Sequence, residues 1–228
     1  MKIKPNAVVL RASAMASIFC LAVPTAAVSA DNHDHHHHMH VGSSMQAVAM
    51  DQHAQHRQMM NTVGYQRAIA NYPVPSVKLL DAQANLVDIA ELLNTDQPIA
   101  VNFIFTSCTT ICPIMSATFA QAQRQLGVDA KQIMWVSISI DPEHDTPEKL
   151  RTYARQYGAD SNWHFLTGEL DNIISLQKSF AVFRGDKSNH APTTLLRAGR
   201  DQPWVRLDGL TSSAELVHEY RQLASAQN

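Results

Sequence analysis

Two cysteines separated by three residues, Cys108 and Cys112, are the residues of this sequence best suited to chemistry. They lie in the run TSCTTICP (106–113), where an apolar segment typical of a buried strand meets a segment with helical spacing. Free backbone N–H groups and the helix dipole stabilise a thiolate at a helix N-terminus, so we expect a lowered pKa for the first cysteine. The three-residue spacer brings both sulfurs together, where they can form a disulfide or ligate one metal ion.

The donor atoms of this pair limit the metals that it can hold. Two thiolates suit linear Cu(I), whereas a carrier that also holds Cu(II) needs a harder donor such as an imidazole. A closed zinc site is disfavoured because it takes four ligands, commonly from two cysteine pairs, and the sequence has one such pair.

The overall composition excludes several other classes of protein. Lys and Arg total 18 against 20 for Asp and Glu, a formal net charge of −2, so no cationic surface for nucleic acid is expected. Three cysteines in 228 residues are too few for a disulfide-stapled scaffold. The length suits one globular domain with extensions.

Hydrophobic patterning after residue 72 predicts the elements that position the cysteine pair. Strands are predicted at 77–80, 99–105, 133–140 and 163–166, and helical segments at 88–93, 112–126, 147–157 and 169–180. A hairpin of 193–197 and 204–207 precedes a last helix that ends near residue 226 and is opened by a capping box, Ser212 and Glu215. This order predicts an α/β, thioredoxin-like three-layer sandwich with a central mixed β-sheet over residues 72–228.

Four histidines lie in this predicted domain: His144, His164, His190 and His218. His190 belongs to a polar loop, residues 184–192, just before a predicted strand. In a thioredoxin-like fold that loop packs against the cysteine pair, so its position favours His190 as the third ligand. A loop histidine in contact only with solvent is the alternative.

The first thirty residues predict a secretory signal peptide. Lys2 and Lys4 precede an apolar run at 14–23, and Val28-Ser29-Ala30 supplies the small residues of a cleavage site. The apolar run is only about half of the roughly 20 residues that a membrane-spanning helix needs. We therefore expect a periplasmic or otherwise extracytoplasmic protein, with an uncleaved segment that anchors it in the inner membrane as the alternative.

Residues 31–71 have a different composition and predict a flexible arm. The arm holds eight of the 12 histidines and five of the nine methionines: His33, His35, His36, His37, His38, His40, His53 and His56, with Met39, Met45, Met50, Met59 and Met60. Thioether sulfur selects Cu(I) and imidazole binds Cu(II), so copper capture is one interpretation of the arm. A solvated tail that binds divalent metals loosely is the other.

Three runs together resemble the Sco/SenC family of exported thioredoxin-like copper proteins: FTSCTTICP (105–113), SIDPEHDTPEKLRTYARQYG (139–158), and the loop histidine followed by a hairpin with WVRLDGL (204–210). The similarity covers roughly residues 72–228. It implies a membrane-facing chaperone that binds copper, Cu(I) and Cu(II), through Cys108, Cys112 and His190 and delivers it to cytochrome c oxidase during assembly. It also implies that Asp141 and Asp145 belong to scaffolding near the site.

Two functions remain open from the sequence. One is the copper chaperone, with a cupro-enzyme such as a cytochrome c oxidase subunit as its partner. The other is a thiol–disulfide oxidoreductase that cycles Cys108 and Cys112, served by a thioredoxin-like reductant and able to reduce the copper-site cysteines of a partner. Pro192-Thr193 before a strand favours the second function, because redox thioredoxins place a cis-proline there. A peroxidase of the same fold class is a weaker third interpretation, since Cys108 has no obvious Thr and Arg companions.

Overall fold

The computed structural model of the chain describes residues 64–225. The predicted signal peptide and the arm up to residue 63 lie outside the described residues. The strands are β1 Gln66–Ala70, β2 Lys78–Asp81, β3 Leu86–Asp88, β4 Ile99–Ile104, β5 Met134–Ser139, β6 Trp163–Thr167, β7 Thr193–Arg197 and β8 Trp204–Asp208. The α-helices are α1 Ile89–Leu93, α2 Ile111–Leu126, α3 Pro147–Gln156, α4 Leu170–Ser179 and α5 Ser213–Ser225, and 3₁₀ turns cover Gly127–Gln132 and Lys187–Asn189.

One mixed sheet contains all eight of these strands, in the order β1-β8-β7-β4-β5-β6-β2-β3. Strands β4, β5 and β6 run parallel, and β7 pairs antiparallel with β4. Every residue of β4 is buried, as its continuous apolar sequence predicts for a central parallel strand covered on both faces. Asn102 is the buried polar residue of this strand: its Oδ1 accepts a hydrogen bond from the Ser137 hydroxyl at 2.7 Å, whereas its Nδ2 has no hydrogen-bond partner among residues 64–225.

Helices cover both faces of the sheet, which gives the three layers that the sequence predicts. On one face α2, α3 and α5 bury a cluster that includes Phe119, Tyr153 and Leu216 against the sheet. On the other face α1 and α4 bury a second cluster that includes Leu93 and Leu176. The prediction of a thioredoxin-like α/β sandwich is therefore confirmed.

The predicted boundary between arm and domain is wrong by about six residues. The sequence places the arm at 31–71, yet Gln66–Ala70 forms β1 and pairs antiparallel with β8 from Gln66↔Asp208 to Ala70↔Trp204. Most side chains of this edge strand are exposed, including Ile69, so backbone hydrogen bonds rather than an apolar pattern define it. Such a strand leaves little signal in the sequence.

The other predicted elements agree with the structure to within two residues. The predicted capping box is present: the Ser212 N–H donates to Glu215 Oε2 at 2.7 Å, and the Glu215 N–H donates to Ser212 Oγ at 3.3 Å. In residues 64–225, no helix has the length and apolar character needed to cross a membrane.

Candidate metal and thiol centre

The cysteine pair lies where β4 feeds the N-terminus of α2. The N-cap residue Thr110 makes no capping hydrogen bond with its side chain, and Cys108 Sγ instead accepts the Cys112 N–H at an N···S distance of 3.4 Å. Cys108 Sγ also lies 3.7 Å from Thr110 Oγ1. The sulfur of the first cysteine thus satisfies a free amide of the helix, and Pro113 follows in the first turn, where its missing N–H costs no helical bond.

The two thiols have opposite electrostatic environments. Burial alone would raise the pKa of Cys108, but hydrogen bonds from the backbone of Cys112 and Thr110 outweigh it and hold that pKa below its ordinary value. Burial dominates at Cys112 and raises its pKa strongly. Both cysteines are reduced in the structure, with Cys108 9% exposed and Cys112 fully buried. Of the two thiols, Cys108 therefore has the environment that suits a nucleophile or a first metal ligand.

His190 is buried, and among residues 64–225 one of its ring nitrogens has a hydrogen-bond partner and the other has none. Its Nε2 lies 2.9 Å from the Phe103 carbonyl oxygen, which can only accept, so Nε2 carries the proton. Nδ1 then holds a lone pair, and it is buried without a partner. Burial lowers the pKa of His190, although the bond to Phe103 opposes this shift. A neutral imidazole with a free nitrogen is the form that ligates metals.

Open space borders this histidine on one side. A cavity of about 210 Å³ is lined by His190 together with Ile140, Val182 and Lys187, among others.

The peptide bond before Pro192 is trans, as are the other peptide bonds of residues 64–225. The cis-proline that the sequence suggested is therefore not a feature of this loop.

Asp145 fixes the loop that leads to the cysteines. Its carboxylate is fully buried and accepts hydrogen bonds from the Thr106 N–H at 3.0 Å, from the Thr106 hydroxyl, and from the Ser139 hydroxyl at 2.7 Å. His144 Nδ1 approaches the same carboxylate at 3.2 Å. Because Thr106 precedes Cys108 by two residues, these bonds hold the loop beside Cys108, as expected if Asp145 is scaffolding near the site.

A second contact ties the loop of His190 to the same segment. Lys187 Nζ donates to Asp141 Oδ2 at 2.5 Å and lies 5.8 Å from the centre of the Phe105 ring. The 3₁₀ turn then connects Lys187 to His190, whose N–H donates to the Lys187 carbonyl at 3.1 Å. The sequence interpretation missed Lys187, since a single lysine in a polar loop is more often a solvated residue.

The structure brings the two predicted cysteine ligands together but does not close a three-ligand set with His190. Among residues 64–225, the group of three potential ligands whose atoms all lie within 4.8 Å of one another is Asp141, His144 and Asp145. Both carboxylates of that group already serve protein donors, Asp141 through Lys187 and Asp145 through Thr106. His190 as third ligand stays a prediction. The remaining domain histidines lie elsewhere, His164 half-buried in β6 and His218 exposed on α5.

Comparison with known proteins identifies the family. The SCO1/SenC family model matches residues 73–224 of this chain. The chain belongs to the SCO1/SenC family. The matched residues cover β2 through almost the whole of α5 and include Cys108, Cys112 and His190.

Relatives and solved structures agree with this assignment. The SCO1 protein homolog of Bacillus subtilis (strain 168) is 43% identical over 68 residues, 29% of this chain and 35% of that protein. This chain thus spans about a third of the length of that curated relative. Among solved structures, BsSco, a member of the Sco family of cytochrome c oxidase assembly proteins, is 26% identical with a TM-score of 0.58, covering 69% of this chain and 96% of BsSco. Bradyrhizobium japonicum ScoI with copper bound is 23% identical with a TM-score of 0.54, covering 68% of this chain and 99% of ScoI. At this identity the similarity shows the fold alone.

Proposed function

We propose that this SCO1/SenC protein is an exported copper chaperone that carries copper on Cys108, Cys112 and His190. One observation carries the proposal: a thiol with a lowered pKa adjoins a second buried thiol, at the same end of the sheet as a buried imidazole nitrogen without a partner. Solved relatives with copper bound support copper as the cargo. BsSco belongs to a family of cytochrome c oxidase assembly proteins, which supports a cytochrome c oxidase subunit or a related cupro-enzyme as the recipient.

The donor set fits both oxidation states of copper. Two sulfurs suit Cu(I), and the unpartnered Nδ1 of His190 is the harder donor that Cu(II) requires. Cys108 offers a thiolate because its pKa is lowered, whereas Cys112 must release a proton when it binds the metal because burial raises its pKa. We therefore expect copper affinity to rise with pH.

Absorption spectroscopy of the mature protein tests the ligands. We expect a thiolate-to-Cu(II) charge-transfer band, which the histidines and methionines of the arm cannot produce. The band is lost in Cys108→Ser, and Cu(II) binding at this site is lost in His190→Ala while Cu(I) binding persists. His218→Ala is the matched control, because His218 is exposed on α5 and its contact with Gln222 lies on the same helix, away from the cysteines.

The same spectra separate the possible failures. An unchanged band in His190→Ala would refute His190 as a ligand. A protein that shows no thiolate-to-copper band, while its two cysteines are reduced, would refute the chaperone itself.

The unequal pKa values of the two thiols favour a second candidate function, a thiol–disulfide oxidoreductase. In that reaction the Cys108 thiolate attacks one sulfur of a partner disulfide, which forms a mixed disulfide and releases a partner thiolate. Cys112 then loses its proton and attacks Cys108 Sγ, which closes the Cys108–Cys112 disulfide and releases the second partner thiolate. The partner is reduced, this protein is oxidised, and a thioredoxin-like reductant would restore it. A disulfide switch has been identified in BsSco.

The reduction potential of the pair and its exchange with a disulfide peptide test this second function. We expect exchange to require Cys108, and Cys112→Ser to accumulate the mixed disulfide. If the reduced protein does not reduce a disulfide peptide, this function is refuted and the copper proposal is untouched.

Export is proposed from the signal peptide predicted at residues 1–30. A mature chain that begins at Asp31 is expected, located in the periplasm or another extracytoplasmic compartment. A SCO1/SenC family neighbour from Bacillus anthracis is a lipoprotein, which supports a location at the membrane. Mass spectrometry of the purified protein distinguishes the outcomes, because retention of residues 1–30 would indicate an uncleaved membrane anchor.

A further inference from the structure

We propose that the cavity beside His190 binds a small carboxylate with an apolar body, and that a bound carboxylate opposes Cu(II) binding at the cysteine pair. The cavity measures about 210 Å³. Binding in the cavity is independent of the proposed chaperone function, whereas the effect on copper rests on that function.

The cavity lies at the same end of the sheet as the cysteines, but on the other face. Ile140 directly follows β5 and Leu170 begins α4 just after β6, and both strands run parallel to β4, which leads to Cys108. Cys108 and Cys112 belong to the cluster on the α2 face, whereas Ile140 and Val182 belong to the cluster on the α4 face. The end of the sheet therefore separates the cavity from the cysteine pair.

Much of the lining of this cavity is apolar. The apolar lining residues are Ile140, Leu170, Ile174, Val182 and Phe183. Cavities that hold drug-sized ligands measure about 300–1,000 Å³, so this smaller cavity suits a single ring or a branched chain. Removal of such an apolar body from water supplies a non-directional attraction.

Gln177 adds a buried polar group to the lining. It is 6% exposed, and its side-chain amide makes no hydrogen bond with any of residues 64–225. Its backbone carbonyl accepts the N–H of Val182 at 2.8 Å and the N–H of Phe183 at 3.3 Å, which holds the segment after α4 against this helix. A ligand that bonds to the side-chain amide would be stabilised, because a buried amide without a partner is unfavourable.

Arg184 adds a positive charge to the lining. Its Nη1 donates to the backbone carbonyls of Ala181 and Phe183 at 3.2 and 3.1 Å. Among residues 64–225, no carboxylate lies within 4.0 Å of this guanidinium. Its other two nitrogens can hold a carboxylate through two parallel hydrogen bonds.

The other charged residues of the lining already have contacts. Asp186 Oδ1 accepts the Ser188 N–H at 2.7 Å, and Lys187 Nζ pairs with Asp141 Oδ2 at 2.5 Å. Asp186 would repel a carboxylate placed beside it. We therefore expect the carboxylate of the ligand to bind at Arg184, with its apolar body against the wall.

His190 links the cavity to the proposed copper site. It lines the cavity, and the bond from Nε2 to the Phe103 carbonyl holds its ring in place. In this position His190 does not form, with Cys108 and Cys112, a group whose ligand atoms all lie within 4.8 Å of one another. It must move to complete that set. A ligand packed against the ring stabilises the present position, so the ligand and Cu(II) oppose each other.

Thermodynamic linkage sets the size of this effect. If the ligand and Cu(II) exclude each other, the apparent Kd for Cu(II) rises by a factor of one plus the ratio of the free ligand concentration to the ligand's own Kd. At ten times that Kd the rise is about tenfold. Cu(I) bound by the two thiolates alone does not require His190, so we expect its affinity to be unchanged.

An NMR titration of the reduced, copper-free mature chain with phenylacetate tests the cavity. We expect saturable shifts of backbone amides within residues 174–190 and an affinity at least tenfold lower in Arg184→Gln. Phenylacetamide, which keeps the ring but not the charge, should bind at least tenfold more weakly than phenylacetate. Arg221→Gln is the matched control, because Arg221 is exposed on α5 on the other face of the sheet. The absence of saturable shifts, or equal affinities in the two variants, would refute the site.

A Cu(II) titration of the same protein, followed by the thiolate-to-Cu(II) charge-transfer band, tests the effect on copper. Phenylacetate at ten times its Kd should weaken Cu(II) binding about tenfold. Acetate at the same concentration is the control, because its carboxylate can bind copper but it lacks the apolar body. An equal effect of both acids, or none, would overturn the opposition between ligand and Cu(II). A ligand-free protein without the band would refute the chaperone function, while the NMR titration would still decide whether the cavity binds carboxylates.

Discussion

Removal of the Asp145 carboxylate is the most direct perturbation of the scaffold around the cysteines. This side chain has no exposed surface and accepts from the Thr106 N–H, the Thr106 hydroxyl and the Ser139 hydroxyl. Asp145→Ala leaves these donors without their acceptor, next to the loop that holds Cys108. We expect the variant to fold with reduced stability and a loosened cysteine loop.

The hydrogen bonds determine the expected loss of stability. The Thr106 N–H and the Ser139 hydroxyl both point at the buried Oδ2, at 3.0 and 2.7 Å. Each buried donor left unpaired costs about 1–3 kcal/mol, so Asp145→Ala should lower the free energy of unfolding by about 2–6 kcal/mol. Asp145→Asn can keep its oxygen at the Oδ2 position for the Thr106 N–H and the Ser139 hydroxyl, and the Thr106 hydroxyl can rotate to accept from the NH₂ group that replaces Oδ1. It should therefore lose less, about 1–2 kcal/mol.

Equilibrium unfolding of the reduced, copper-free protein in urea measures these values. Asp160→Ala is the matched control, because this exposed carboxylate accepts the nearby Asn162 N–H at 3.0 Å and its loss should change stability by about 0.5 kcal/mol or less. A loss below about 1 kcal/mol for Asp145→Ala, or an equal loss in both alanine variants, would refute the inference that Asp145 clamps the loop.

Three further predictions concern the thiols, the histidine loop and pH. In the reduced protein at pH 7, iodoacetamide should modify Cys108 before Cys112, because the pKa of Cys108 is lowered whereas burial raises that of Cys112; equal labelling by mass spectrometry would contradict this. The ammonium of Lys187 holds the loop of His190 to Asp141, so Lys187→Met should weaken Cu(II) binding about tenfold and Lys187→Arg should restore it. Burial lowers the pKa of His164, so the unfolded state binds more protons below pH 6.5 and stability falls as the pH drops through that range. His164→Gln should reduce the slope of this loss in urea unfolding at a series of pH values, and an unchanged slope would contradict it.

The predictable part of the fold is the part whose side chains are buried in a regular pattern. The central strand Ile99–Ile104 and the helix Ile111–Leu126 follow from a continuous apolar run and from helical spacing ended by Gly127. Strand β1 could not be predicted in the same way, because its side chains are mostly exposed and its place depends on backbone pairing with a strand about 140 residues later. Edge strands of this kind are defined by tertiary structure rather than by local sequence.

The same distinction applies to the site. Cys108 and Cys112 could be found from spacing alone, because one helical turn brings them together. The contact between Thr106 and Asp145 joins residues 39 positions apart and exists because β4 and β5 are parallel neighbours that end at the same edge. The contact between Lys187 and Asp141 joins residues 46 positions apart, and it too forms where chain segments meet at this edge of the sheet.

The carboxylates of Asp141 and Asp145 already contact protein donors, which bears on the metal preference of the proposed sulfur site. Asp141 is paired with Lys187 through Oδ2, and Asp145 accepts from hydroxyl and amide donors, so a cation bound by either carboxylate would have to compete with these contacts. Hard cations prefer carboxylate oxygen, whereas soft sulfur selects Cu(I), so we expect the engagement of these oxygens by protein donors to bias the proposed site towards copper. Release of either carboxylate should weaken that bias. We therefore expect the scaffold of the proposed site to influence metal selectivity as well as the position of Cys108.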